Sequence, residues 1–300
     1  MWLTAYGRNF YNSIVANCVS NGYAASFDGI NDFAVYSNGG PLFIPSTSSS
    51  TQALISMWVE VDKTSAGFGQ FFWTQGVNGN NTNDFWRVLY QGNNSSGTPL
   101  NRLIVEWRAN GSSNNIQKQF GLHDNTAITG STSSTNQWLS TNPNINRNSN
   151  GYVHIAAIFD VPQIGQPMSN GNLDVYWNGQ LLTNTAVNQK QGTSQTTITN
   201  NSWYLGCNGY NTTSFHDGKI DEMFMLNGSP LVTFKNDKTL TTNQDVVDYL
   251  YNNGCPVDIG VDARYDFGWW RFENNWNAGP AGGYGAYNPI NGAGFSTDAA

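Results

Sequence analysis

The chain is poor in charge, and it has no run of basic residues. Asp, Glu, Lys and Arg make up 11% of its 300 residues, against about a quarter in an average domain. Acidic residues outnumber basic ones by 20 to 13, giving a net charge of −7 and a pI of 4.7. Because neutralising a phosphate backbone requires clustered Lys and Arg, we expect no nucleic-acid partner, and an acidic membrane surface is an equally poor one.

Long hydrophobic runs are also missing, and we expect no signal peptide. No window approaches the 18 apolar residues of a membrane span. The start, MWLTAYGRNFYNSIV, lacks the charged region and apolar run of a signal peptide. We therefore expect synthesis in a cytoplasm and no membrane partner.

Cysteine is scarce as well. The three cysteines, Cys18, Cys207 and Cys255, are scattered along the chain. Their number and spacing favour reduced, buried thiols over a disulfide framework or a metal site.

Aromatic residues and alternating patterns are what the chain does have. Aromatics reach 14%, with 11 Trp. In 53–62, Leu54, Ser56, Trp58 and Glu60 share one face of a strand, and the residues between them share the other. Segments 68–75, 84–92 and 103–110, and more weakly 117–123, also read as strands, and Gly/Asn/Ser turn clusters lie between them. This spacing favours a β-sandwich.

One short helix is predicted near residues 243–252. Val246, Val247, Leu250 and Tyr251 form an apolar stripe of helical period. Thr241 or Thr242 is the expected N-cap, with Asp245 in the first turn and Gly254 at the end.

Five segments, taken in order, resemble the laminin-G-like, concanavalin-A-like jelly-roll family. They are AASFDGINDFAVYSN (24–38), GYVHIAAIFD (151–160), NLDVYWNGQLLTNT (172–185), WYLGCNG (203–209) and the strand-then-helix ending at 214–255. The resemblance implies an all-β, two-sheet antiparallel jelly-roll sandwich over residues 23–255. Residues 1–22 would form an N-terminal arm and 256–300 an aromatic, Gly-rich C-terminal extension. Either arm would pack back on the sandwich or reach a neighbour.

The tail YDFGWWRFENNWN (265–277) resembles a Trp-Trp-Arg segment that follows this domain in virion proteins of tailed bacteriophages. It implies a non-enzymatic virion structural protein: a capsid decoration, head fibre or tail appendage subunit. Its partners would be other virion proteins and copies of itself, contacted through aromatic residues of the two arms. These candidate assembly residues are Trp2, Tyr6, Phe10, Tyr11, Trp269, Trp270 and Trp276.

A carbohydrate-binding lectin that adheres to host glycans is the alternative. Trp86, Trp107, Trp138 and Tyr210 border polar loops and are candidate sugar platforms. The competing interpretation is that these side chains fill the sandwich core or seal its ends.

A glycoside hydrolase is less expected, and we predict no enzyme. Only four Glu occur, Glu60, Glu106, Glu222 and Glu273, and none lies in the Glu-x-Asp-x-Glu pattern of family-16 hydrolases. Glu60 and Glu106 read as solvated strand positions. The histidines have no zinc spacing, and His154 reads as a buried hydrogen-bonding residue.

Calcium is the one cofactor that the resemblance suggests. Asp28, Asn31, Asp32 and Asp221 are oxygen donors in the matching motifs. The competing interpretation is that Asp28 and Asp32 only cap turns through bonds to the backbone.

Overall fold

The computed structural model describes residues 22–36, 51–62, 68–76, 85–93, 99–108, 115–122, 128–129, 147–183, 187–192, 200–209, 213–227, 240–257, 267–272, 288–290 and 292–296. These residues form strands and one α-helix. The strands are β1 (Ala24–Asp28), β2 (Phe33–Tyr36), β3 (Thr51–Val61), β4 (Phe68–Gly76), β5 (Phe85–Asn93), β6 (Pro99–Arg108), β7 (Asn115–Leu122), β8 (Ile128–Thr129), β9 (Val153–Val161), β10 (Asn172–Trp177), β11 (Gln180–Leu181), β12 (Val187–Gln191), β13 (Asn200–Leu205), β14 (Asp217–Asn227), β15 (Phe267–Trp270), β16 (Asn288–Ile290) and β17 (Gly294–Ser296), and the helix is α1 (Asn243–Tyr251).

The strands pair antiparallel into two sheets. An eight-stranded sheet has the order β11-β10-β9-β3-β14-β1-β17, with β15 also pairing with β14. A nine-stranded sheet has the order β12-β7-β6-β5-β4-β13-β2-β16, with β8 also pairing with β7. The predicted two-sheet antiparallel sandwich of jelly-roll type is confirmed.

The main core lies between the sheets, and strand alternation decides which side chains enter it. On β3, Ile55, Met57 and Val59 point into this core. The opposite face carries Leu54 and Trp58, which are also buried, because the outer side of the eight-stranded sheet is itself covered.

Helix α1 forms that covering layer. Its Val246, Val247 and Leu250 pack with Leu54 and Ile158 of the eight-stranded sheet. This burial explains why nine residues hold a helix that would be marginal alone in water. The helix ends at Asn252, which adopts the left-handed conformation with φ 43°. Gly254 lies in the following 3-10 turn, so the predicted glycine stop is wrong by two residues.

Thr242 is the N-cap, and Asp245 completes a capping box. The Thr242 hydroxyl accepts the Asp245 N–H at 3.1 Å, and the Asp245 carboxylate accepts the Thr242 N–H at 2.8 Å. We expect Thr242→Ala to lower the free energy of unfolding by about 1 kcal/mol, measured by urea denaturation. Thr242→Asn is the control, because asparagine caps equally well. Equal losses in both variants would contradict the capping assignment.

The described part of the C-terminal extension packs back on the sandwich. Strands β15 and β17 extend the eight-stranded sheet, and β16 extends the nine-stranded one. Trp270 has no exposed surface and belongs to the main core, so it is not available for assembly contacts, and that prediction is wrong for this residue. The other candidate assembly positions, namely Trp2, Tyr6, Phe10, Tyr11, Trp276 and the side chain of Trp269, lie outside the described residues.

The two described cysteines differ in their oxidation state. Cys207 is a buried free thiol, as predicted, and burial raises its pKa to about 12. Cys255 is disulfide-bonded, which contradicts the prediction of a reduced thiol. Cys18 lies outside the described residues.

No helix in the described part of the chain is long and apolar enough to span a membrane.

Candidate functional site

The outer face of the nine-stranded sheet carries the most developed polar cluster among the described residues. On β5 and β6, Trp86, Val88, Val105 and Trp107 point into the core, so the residues between them point outward. Register then aligns Arg87, Glu106 and Gln117 in one row across β5, β6 and β7. We call seven polar side chains on this outward side of the strands the polar face. Its members are Arg87, Arg102, Glu106, Arg108, Asn115, Gln117 and Gln119.

Glu106 is the centre of this face. Its carboxylate is fully buried, and it forms ion pairs with Arg87 and Arg108. Arg87 donates to Oε2 from Nε at 2.8 Å and also from Nη2, and Arg108 donates to Oε1 from Nε at 3.1 Å and Nη2 at 2.7 Å. The amides of Asn115 and Gln117 donate to the same carboxylate at 3.3 and 3.0 Å. Both oxygens are therefore surrounded by donors.

The charge of Glu106 is fixed by these contacts. Burial alone would raise the pKa of Glu106, but the charges and hydrogen bonds of Arg87 and Arg108 outweigh burial and hold it below its ordinary value. The carboxylate therefore stays ionised near neutral pH and positions the two guanidinium groups. The Arg87 and Arg108 side chains keep 22% and 19% of their surface exposed, so solvent reaches them, whereas the Glu106 carboxylate that holds them has no exposed surface.

A second chain of contacts extends the polar face. Arg102 donates through Nη1 to Gln119 at 3.1 Å, and Gln119 donates to Gln117 at 3.1 Å. Two polar atoms of the face have no hydrogen-bond partner among the described residues: Nε of Arg102 and Oδ1 of Asn115, a side chain only 3% exposed. One is an unused donor and the other an unused acceptor.

Sequence reasoning missed this site. Glu106 was predicted to be a solvated strand residue, and its full burial contradicts that. The available signal was the pattern Trp86-Arg87-Val88 beside Val105-Glu106-Trp107-Arg108, with opposite charges at outward positions between large apolar residues. Which strand neighbours which, and in what register, was the missing information.

The predicted sugar platforms are not on the surface where they are described. Trp86 and Trp107 are buried between the sheets, with their rings perpendicular at a centroid distance of 4.1 Å. Trp86 also packs edge-on against Phe159 of the opposite sheet at 3.7 Å. Their faces cannot stack on a sugar, so this prediction is wrong for both residues, and the core-filling interpretation holds. Trp138 and Tyr210 lie outside the described residues.

The four suggested calcium donors are not gathered into one site. Asp28 Oδ1 accepts the N–H groups of Ile30, Asn31 and Asp32 at 2.8, 3.1 and 3.2 Å, which makes it a turn cap. Asp28 pairs with Asp217 across the strands, so Asp221 lies four residues, or about 13 Å, further along β14.

Asp221 has a structural role of its own. It is fully buried at a β-bulge, where it accepts the N–H of Glu222 at 2.8 Å. Within the described residues no group of three or more His, Cys, Asp or Glu side chains is placed to hold a metal ion.

The remaining described glutamates lie on the eight-stranded sheet. Lys219 lies 2.8 Å from Glu60, and Arg271 lies 3.2 Å from Glu222. Glu60 is buried, which contradicts its predicted solvated position and raises its pKa. Asp62 follows the end of β3, two residues on, and its charge interacts with Glu60. Glu60 and Glu106 point away from the core on different sheets, so they lie on opposite sides of the sandwich.

His154 is buried under helix α1, as predicted. Its Nε2 lies 2.7 Å from the Ser56 hydroxyl, and its ring packs against Trp58 and Tyr251. Nδ1 has no partner among the described residues. A Ser-His-Asp triad needs a carboxylate at that nitrogen. The pair is therefore a buried structural contact.

Burial lowers the pKa of His154 to about 3. An unfolded histidine titrates near 6.5, so below that pH the unfolded state binds the proton that the folded state refuses. We expect acidification from pH 7 to 5 to cost about 2 kcal/mol of unfolding free energy through this residue. Urea denaturation of wild type and His154→Asn at both pH values checks it. An unchanged pH slope in the variant would contradict the assignment.

Comparison with known proteins finds matches among solved structures alone. No protein-family model matches the chain, and no curated protein matches it in sequence. A candidate carbohydrate-binding protein from Bacteroides ovatus aligns with a TM-score of 0.46 and 15% identity over 93% of this chain. The present chain spans 60% of the length of that protein.

Two further solved structures are similar in part. The carbohydrate-binding domain CBM40 of the Ruminococcus gnavus IT-sialidase, bound to α2,3-sialyllactose, gives a TM-score of 0.37 and 9% identity, covering 74% of this chain and 95% of that one. The enzymatically active domain of tailspike protein 2 of bacteriophage CBA120 gives a TM-score of 0.40 and 10% identity. That alignment covers 85% of this chain and 33% of the tailspike chain. Likenesses this distant carry no information about ligand or activity.

Proposed function

We propose that the chain is a non-catalytic binding protein that attaches to carbohydrate through its polar face. The observation that carries this proposal is the Arg87–Glu106–Arg108 cluster. A fully buried carboxylate holds two part-exposed guanidinium groups in place, and amides from the next strand surround it. Such a rigid array of donors and acceptors is suited to a ligand rich in hydroxyl groups.

The non-catalytic part of the proposal is supported by the state of the carboxylates. Glu106 is saturated by donors and stays ionised, so it is a poor acid and a poor nucleophile. Glu60 and Asp62 are near enough to interact, but Lys219 and Arg147 also interact with this pair. Polysaccharide cleavage that is lost in Glu60→Gln would overturn this part.

A glycan array with purified protein tests the binding role. We expect hits that Gln119→Ala weakens, because Gln119 links Arg102 to the rest of the polar face. Gln166→Ala is the matched control: this exposed amide lies in the loop before β10, outside the polar face. No hits with and without calcium, or equal loss in both variants, would count against the proposal.

We propose further that this binding protein is a virion component of a tailed bacteriophage, in contact with other virion proteins and copies of itself. The structural support is that the two segments resembling such proteins form one unit. Strand β15, which contains both tryptophans of the Trp-Trp-Arg sequence, pairs with β14, and Arg271 pairs with Glu222 of that strand. Localisation in the virion is part of this proposal.

Mass spectrometry of intact particles tests the virion role. Stoichiometric recovery of the polypeptide from purified particles is the expected result. A soluble protein absent from particles but active on the glycan array would leave carbohydrate binding standing and overturn the virion assignment.

A further inference from the structure

We infer that the polar face binds an acidic saccharide, through a carboxylate or sulfate group held by its arginines. The inference rests on the proposed function and narrows the ligand to one chemical class. Neutral sugars would offer hydroxyl groups alone, whereas the charges on this face require an anion.

Charge is the first argument. Three of the seven arginines of the chain, Arg87, Arg102 and Arg108, lie on this face, and Glu106 is the one acidic side chain among its members. Three positive charges against one negative charge leave a surplus of two. A surplus of this sign is unexpected in a chain with a net charge of −7. Arginine presents planar pairs of donors that match carboxylate and sulfate oxygens.

Arg102 marks where the anion would bind. Among the described residues it has no carboxylate within ion-pair distance, its side-chain hydrogen bond goes to the neutral Gln119, and its Nε is without a partner. A buried cationic donor without an acceptor is costly. An acid group of a ligand would supply the missing acceptor and the missing charge.

Asn115 provides the second argument, because its free oxygen requires a hydrogen-bond donor, whereas Arg102 requires an acceptor. Its Nδ2 donates to Glu106, which fixes the orientation of the amide. Its Oδ1 has no donor among the described residues, although Asn115 is only 3% exposed. A hydroxyl group would satisfy that oxygen. Asn115 pairs with Arg108, so it lies six residues, or about 20 Å, from Arg102 along the strands. A ligand with an anionic group for Arg102 and hydroxyl groups for Asn115 is therefore an acidic oligosaccharide of several sugar units.

Isothermal titration calorimetry with matched saccharide pairs tests the inference. The probes are an oligogalacturonate, a sialylated oligosaccharide and a sulfated oligosaccharide, each beside its methyl-esterified or desulfated counterpart. We expect at least one acidic member to bind about tenfold or more tightly than its neutral counterpart, and to weaken at high salt. The carboxylate and sulfate pairs separate the two sources of charge.

Substitution of Arg102 assigns the effect to this face. Arg102→Gln should lower the affinity for the acidic member about tenfold and leave the neutral member unchanged, and Arg102→Lys should restore part of it. Arg271→Gln on the eight-stranded sheet removes the same charge away from the face and should have no effect. Equal binding of acidic and neutral members overturns this inference and leaves carbohydrate binding standing. Binding of neither overturns both.

Discussion

Glu106→Gln is expected to lower the free energy of unfolding by about 3 kcal/mol or more. The substitution keeps the volume of the side chain and removes its charge. Arg87 and Arg108, which together give four hydrogen bonds to this carboxylate, then face each other without a counter-charge. Their part exposure lets water relieve some of the cost, which places the effect at the lower end of the range for broken buried ion pairs.

Asp174→Asn is the matched control for this substitution. It also converts a carboxylate to an amide, but the Asp174–Lys118 ion pair spans 3.9 Å and the Asp174 side chain is 29% exposed, so we expect a change within about 0.5 kcal/mol. Urea denaturation at pH 7 measures both variants. Equal small effects would show that the Glu106 cluster contributes no more than an ordinary surface pair.

The effect of Glu106 also has a predicted pH dependence. Since the pKa of Glu106 is lower folded than unfolded, its contribution is complete above the unfolded value of about 4.3 and is lost as pH falls through the folded pKa. The stability gap between wild type and Glu106→Gln should therefore be constant from pH 7 to about 5 and shrink in stronger acid. A gap that stays constant throughout would contradict an ionised Glu106 as its cause.

The sandwich was predictable because its signal is local. Alternation along β3 to β6 identifies strands regardless of their neighbours, and the cap at Thr242 is fixed by residues three positions apart. His154 was also assigned correctly as a buried, hydrogen-bonded residue. Each of these features depends on sequence neighbours or on one strand face.

The site was not predictable because it depends on which face is covered and which strands pair. Alternation separates Trp86 from Arg87, but it does not say which of them faces the core. The same ambiguity holds for Trp107 and Glu106. Once the structure places the tryptophans in the core, the sugar-platform interpretation fails and the arginines and Glu106 form the ion-pair cluster on the other face. The calcium prediction failed for a related reason, because the bulge at Asp221 and the register of β1 on β14 keep Asp221 away from Asp28.

Trp270→Ala is expected to lower the free energy of unfolding by about 3–5 kcal/mol. Trp270 has no exposed surface, sits opposite Met223 in the register of β15 with β14, and packs perpendicular to Trp203 at 6.1 Å. Leu181→Ala is the control, because this apolar residue is 42% exposed and its truncation creates no cavity. Thermal or urea denaturation compares the two.

The outcome decides what the Trp-Trp-Arg segment does. A large loss in Trp270→Ala means that this tryptophan completes the core of the sandwich, so deleting residues 256–300 should unfold the domain rather than release a folded one from its partners. Any assembly contact must then use surfaces other than the Trp270 ring. A variant as stable as wild type would instead make β15 a detachable appendage, and the segment would again be a candidate for binding neighbours in a particle.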